Sequence, residues 1–138
     1  MENKLDRYTL LHDYIEQNRR TPFQWGTMDC LSFGLNWAQL ATGIKTWDDI
    51  ETYDTEFGAA RVLKSRGYDS LNAALDAHFT QRELNFVQRG DLVIGANTAS
   101  ESFTGLIGVH CGDVCAYTGE NGLEFFPPDS ALHAWKVD

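Results

Sequence analysis

The chain has 138 residues, the size of one domain, with 43% hydrophobic and 22% charged positions. Twenty acids against eleven bases leave a net charge of −9, with a pI near 4.7. That balance excludes bulk electrostatic binding to nucleic acid or to an anionic membrane, both of which need clustered Lys and Arg. No apolar run approaches the roughly 18 residues of a membrane span. Met1 to Asp6 lacks the apolar core of a signal peptide, so synthesis in a cytoplasm as one domain over 1–138 is expected. Three cysteines, an odd number, point to reduced thiols and not to a complete disulfide framework.

The elements read in chain order as helices followed by strands, the segregated pattern of an α+β fold. Leu5, Tyr8, Leu11 and Ile15 have helical spacing, which predicts a helix from Leu5 to about Asn18, ended by Arg19, Arg20 and Pro22. His12 is placed on the apolar stripe of that helix. A second helix is predicted from Asp29, a good N-cap, to Ala41, with Gly43 at its C-terminal glycine position. Its apolar residues nearly encircle it, which predicts a central, buried helix. Thr46 and Asp49 suggest a short capped turn. Thr55 opens a third helix to about Lys64, and Asp69 or Ser70 a fourth to about Phe79. Strands follow at Asp91–Ile94, Leu106–His110 and Val114–Tyr117, the last two joined by a tight hairpin at Cys111-Gly112-Asp113. Leu123–Phe126 is a further strand, stopped by Pro127-Pro128, and Leu132–Val137 reads as a last edge strand.

The chemistry-bearing segment is Pro22 to Cys30. An irregular loop with Trp25 and Gly26 delivers Cys30 to the first turn of a buried helix. Free N–H groups and the positive end of the helix dipole there favour a thiolate, the attacking species of cysteine hydrolases. Gln24 is a candidate oxyanion donor and Asp29 a candidate cleft residue. A thiol hydrolase also needs a histidine base. Of His12, His78, His110 and His133, His110 is the best candidate because it lies on a predicted strand. The simpler reading, that Cys30 only packs, stands beside this one. No metal or cofactor is expected: His110, Cys111 and Cys115 lack zinc-ligand spacing. The acidic run from Asp48 to Glu56 lacks the pattern of a calcium loop and reads as a solvated face.

At Phe23-x-Trp25-Gly26 followed by Asp29-Cys30-x-x-Phe33, the chain resembles the NlpC-type cell-wall peptidases, compact papain-like thiol hydrolases of peptidoglycan. Gly90-Asp91-Leu92-Val93 resembles the opening of their sheet. Leu106 to His110 with Gly112 resembles their next strand. From about Leu11 onward the chain is also similar to a family of small proteins of tailed phages and prophages. The shared features there are Phe23-x-Trp25-Gly26-x-x-Asp29-Cys30, Gly58 to Arg61, Gly122-Leu123 and Ala134 to Val137. The resemblance implies an NlpC-like fold, other phage tail proteins and peptidoglycan as partners, and a place in the virion tail.

The departures are specific. Phe23 stands where the peptidases have the oxyanion-assisting Tyr, and the loop after Gly26 is shortened to Thr27-Met28. Leu106 stands where they have the catalytic His. His110 lies four residues on, about 13 Å further at strand rise. A tail-tip or tail-assembly component with weak or lost hydrolysis is therefore the first expectation. The alternatives are an active peptidoglycan hydrolase with Cys30 as nucleophile and His110 or another histidine as base, and a host-side prophage protein unrelated to virions.

Overall fold

The fold was taken from a computed structural model, which describes residues 4–43, 53–96 and 105–137. Within them the architecture is α+β: four helices and one six-stranded sheet. The helices are α1 (Lys4–Asn18), α2 (Ser32–Thr42), α3 (Glu56–Ser65) and α4 (Leu71–His78). The strands are β1 (Thr80–Arg82), β2 (Leu92–Ala96), β3 (Gly105–His110), β4 (Cys115–Tyr117), β5 (Glu124–Phe126) and β6 (His133–Lys136). No helix among the described residues is long and apolar enough to cross a membrane.

Local chemistry explains where the helices begin and end. Thr55 and Ser70 are the N-caps of α3 and α4, accepting hydrogen bonds from the Gly58 and Ala73 N–H groups. Gly43 closes α2 at φ 76°, a left-handed conformation that glycine adopts without strain. The turn suggested at Thr46–Asp49 lies outside the described residues.

The sheet is antiparallel throughout, in the order β1-β6-β2-β3-β4-β5. Two corrections to the sequence reading follow. β1 was not foreseen, because Thr80-Gln81-Arg82 is polar and has no buried face. β6 is therefore not an edge strand: it is hydrogen-bonded to β1 on one side and β2 on the other. Its Trp135 and Ala134 are fully buried, as an interior strand requires.

Strand alternation separates two cores. Leu92, Ile94, Ile107, Val109, Ala116, Trp135 and Val137 face the helices and join the main cluster with Phe33, Leu35, Trp37, Leu63 and Leu75. Val93, Cys115, Tyr117, Ala131 and Ala134 form a smaller cluster on the opposite face. The Tyr117 ring lies directly over Gly95 and Gly108; a Cβ on Gly108 would collide with that ring and with the Ala116 carbonyl.

The central helix α2 is tied down by side chains as well as by packing. Gly34 lets β3 approach, since a Cβ there would overlap Ile107. The Tyr14 hydroxyl of α1 donates to the Phe33 carbonyl at 2.6 Å, and its ring stacks on Phe33 at 5.5 Å. Trp135 Nε1 donates to Asp76 at 2.8 Å, joining β6 to α4. On α1 it is Leu11 and Ile15 that are buried, while His12 is exposed. Helical spacing allowed the buried stripe either of two adjacent settings, and packing of Tyr14 against α2 selects the one that leaves His12 in solvent.

Candidate active site

The segment before α2 is a tight turn held by its own backbone. Gln24 N–H donates to Met28 O at 3.0 Å, and Met28 N–H returns to Gln24 O at 2.8 Å. Gly26 has φ 93°, and the Tyr53 carbonyl occupies the space a Cβ would take, so both conformation and contact require glycine. Phe23 meets Trp25 edge-on at 4.9 Å. The turn carries Asp29 and Cys30 into the interior, where both are fully buried.

Asp29 is the cap of α2. Its Oδ1 accepts from Leu31 N–H and Ser32 N–H, both at 2.8 Å, and from the Ser32 hydroxyl at 3.0 Å. Ser32 Oγ in turn accepts the Asp29 N–H at 2.9 Å, a reciprocal box. Oδ2 accepts from Gly26 N–H at 2.8 Å. The Tyr53 hydroxyl also hydrogen-bonds to this carboxylate. Burial, first of all, and the negative charge of Asp29 push the Tyr53 hydroxyl up from its ordinary pKa. Asp29 thus caps from three residues before Ser32, where regular α2 begins, as its residue type predicts.

Burial, and this cap after it, set the state of Cys30. The sequence reading expects the helix start to stabilise a thiolate. The structure places the Asp29 carboxylate on the N–H groups that would do so, Leu31 and Ser32. Burial raises the Cys30 pKa most, and the adjacent Asp29 charge and then Glu56 raise it further. The side chain is a buried, protonated thiol, and desolvation outweighs the helix dipole. The Cys30 carbonyl accepts Ile107 N–H at 3.0 Å, which docks the start of α2 on β3.

The expected catalytic partners do not gather around Cys30. Gln24 is exposed and contributes its backbone to the turn. Leu106 directly precedes Ile107 and packs against both cores, so the aligned base position holds an aliphatic side chain, which alternates to the His110 side of β3. His110 is in register with Cys115, a member of the outer core. Residues opposite one another share a face, so His110 lies on the side of the sheet turned away from Cys30, Ile107 and α2. The remaining histidines, His12, His78 and His133, are exposed. Cys111 and Cys115 are free and belong to different cores. Among the described residues no three His, Cys, Asp or Glu side chains group as a metal site.

His110 instead belongs to a second polar locus. Gly90 N–H donates to His110 O at 2.7 Å, and His110 N–H donates to Asp91 O at 2.9 Å. Two residues thus oppose one, a bulge in which Gly90 takes φ 96°. His110 Nδ1 accepts Gly112 N–H at 3.2 Å, which puts the proton of the neutral ring on Nε2. Burial, with help from Arg89, lowers the His110 pKa against the opposing pull of Asp91. The folded chain therefore holds a neutral ring that the unfolded chain protonates below about 6.5. The stability this contributes is complete above that pH and is lost as pH falls toward the lowered folded value. Asp91 works in the opposite sense, since burial raises its pKa. Wild type is expected to lose stability relative to His110→Gln as pH falls from about 7.5 to 5, measured by urea unfolding. A pH-independent difference would show that the ring is not held neutral.

The sequence reading missed Ser32, Tyr53 and Asp91. The Asp29-x-x-Ser32 spacing is a readable cap signal, and Gly90-Asp91 before a strand is a readable bulge signal. Tyr53 lies 24 residues from Asp29 and carries no local signal. The model of the family DUF6950, a domain of unknown function, matches residues 3–137. No curated protein matches the chain.

Proposed function

The chain belongs to the DUF6950 family, and for it we propose a role as a tail-tip or tail-assembly component of a tailed phage or prophage, on an NlpC-like fold that no longer hydrolyses peptidoglycan. The observation that carries the loss of chemistry is the complete burial of Cys30 against an already occupied helix start. Leu106, at the aligned base position, is no base, and His110 lies on the face of the sheet turned away from Cys30. The tail role is supported by the resemblance to phage proteins. The residues that carry it have structural work here. Gly26 accommodates the Tyr53 carbonyl, Gly122 accommodates the Arg19 carbonyl, Asp29 caps α2, and Trp135 joins β6 to α4. Shared residues that hold a shape suit a component whose task is to fit its neighbours.

Alkylation by iodoacetamide, resolved cysteine by cysteine in the folded protein, tests the chemistry. Cys111 is half-buried, and burial above all pushes its pKa up to about 11. It is expected to react about a hundredfold more slowly than an ordinary thiol below pH 9. Cys30 and Cys115 are expected to stay unlabelled until the chain unfolds. Labelling of Cys30 at or above the rate of Cys111 would overturn the buried-thiol reading. For the tail role, the chain is expected in purified tails of the phage that encodes it, with Cys30→Ala leaving plaque titre unchanged. Muropeptide release that Cys30→Ala abolishes would establish the hydrolase instead, and tails lacking the chain would refute the tail role.

A further inference from the structure

Arginines from α1, from β1 and from the turn before β2 converge on the Gly90–Asp91 bulge. Arg7 of α1 lies against Gly90, where a Cβ would come within 3.0 Å of Nη2 and 3.1 Å of Nε. Arg89 lies against Gly112, 3.0 Å from the position of a Cβ, and its guanidinium sits 5.1 Å from the centre of the Tyr8 ring. Arg82 of β1 brings Nε to 3.0 Å from Asp91 Oδ2. The glycines leave room for the guanidinium planes, and the Tyr8 ring fixes one of them. These side chains are held in place before anything binds.

The charges in this locus do not balance. Asp91 is the carboxylate that Arg82 and Arg7 both act on, and Arg89 acts with it on His110. Among the described groups shown acting on Asp91 and His110, three guanidinium groups face one carboxylate, in a chain whose net charge is −9. The hydrogen bonds do not balance either. The Nε atoms of Arg7 and Arg82 are shielded from water and have no hydrogen-bond partner among the described residues; the Arg82–Asp91 contact is a charge pair without hydrogen-bond alignment. Buried donors without acceptors are rare and costly in folded proteins. A group with negative charge and several acceptor oxygens would answer both shortfalls.

We propose that Arg7, Arg82 and Arg89 form a binding site for an oxyanion, either a free phosphate or the carboxylate of a partner's acidic segment. The site is independent of Cys30 and of the hydrolase question.

The test is an NMR titration of the arginine Nε–Hε resonances of the full chain with inorganic phosphate, with chloride exchanged at constant ionic strength. The resonances of Arg7 and Arg82 are expected to shift and saturate. Arg89→Gln, a change at an exposed residue, is expected to weaken phosphate binding about tenfold. Arg7→Lys, which keeps the charge and loses the fork, is expected to weaken it by a similar factor. Arg61→Gln, exposed on α3, is expected to leave it unchanged. Parallel titrations with acetate and with a short Asp/Glu peptide distinguish the sources. Saturation by phosphate alone identifies the free anion, and tighter saturation by the peptide identifies a partner's carboxylates. Shifts that never saturate, or that survive equally in Arg89→Gln and Arg7→Lys, would show screening only and overturn the site.

Discussion

Asp29→Ala is expected to destabilise the chain by roughly 3–4 kcal/mol, read as a lower urea midpoint with an unchanged slope. The reason is the number of donors that converge on one buried carboxylate: the N–H groups of Gly26, Leu31 and Ser32, and the hydroxyls of Ser32 and Tyr53. Alanine strands all of them in the interior at once, and each unanswered buried donor costs about 1–3 kcal/mol before relaxation. Asp29→Asn keeps an acceptor on one side of the group and is expected to cost about half as much. It also removes the charge that raises Cys30, so the thiol should become somewhat more acidic while remaining buried. A loss under about 1 kcal/mol for Asp29→Ala would mean that the helix start does not depend on this cap.

Trp37→Ala is the second large effect, expected at roughly 3–5 kcal/mol. Trp37 is fully buried in the middle of α2, lies 5.8 Å from the Tyr14 ring, and donates from Nε1 to the Gly90 carbonyl at 2.8 Å. Trp37→Phe separates packing from hydrogen bonding. It keeps most of the apolar volume and leaves the Gly90 carbonyl unanswered, for an expected loss of about 1–3 kcal/mol. Because that carbonyl belongs to the bulge beneath Arg7, Trp37→Phe should also weaken anion binding there, whereas a packing change elsewhere in α2 should not. Equal stability of Trp37→Phe and wild type would show that the bond to Gly90 contributes nothing.

The helices were legible because their ends carry chemistry. Thr55, Ser70 and Asp29 are side chains that answer free N–H groups, and Gly43 takes a conformation other residues resist. The strands β2 to β5 were legible from short apolar runs between turn residues. β1 was not, because an exposed polar edge has no hydrophobic pattern; without β1, β6 could only be read as an edge. The candidate site was half legible. Sequence position showed that Cys30 begins a helix, and alignment of motifs showed Leu106 in the place of a base. What decides the thiol's state is burial and the prior claim of Asp29 on the same N–H groups, both tertiary facts. The Arg7, Arg82 and Arg89 cluster was invisible for the same reason. Its members lie far apart along the chain or in turns, and an acidic average conceals a local gathering of the opposite sign.

The position of β6 has a consequence for how the chain is made. The strand that fills the gap between β1 and β2 is translated after every other element of the sheet. Until residue 136 has emerged from the ribosome, β1 has no neighbour and the edge of β2 that β6 will cover stays open. Helix α4, bonded to β6 through Trp135, waits as well. The sheet is therefore completed by the insertion of a single strand, the last of its members in chain order, and until then it presents open edges that other chains could pair with.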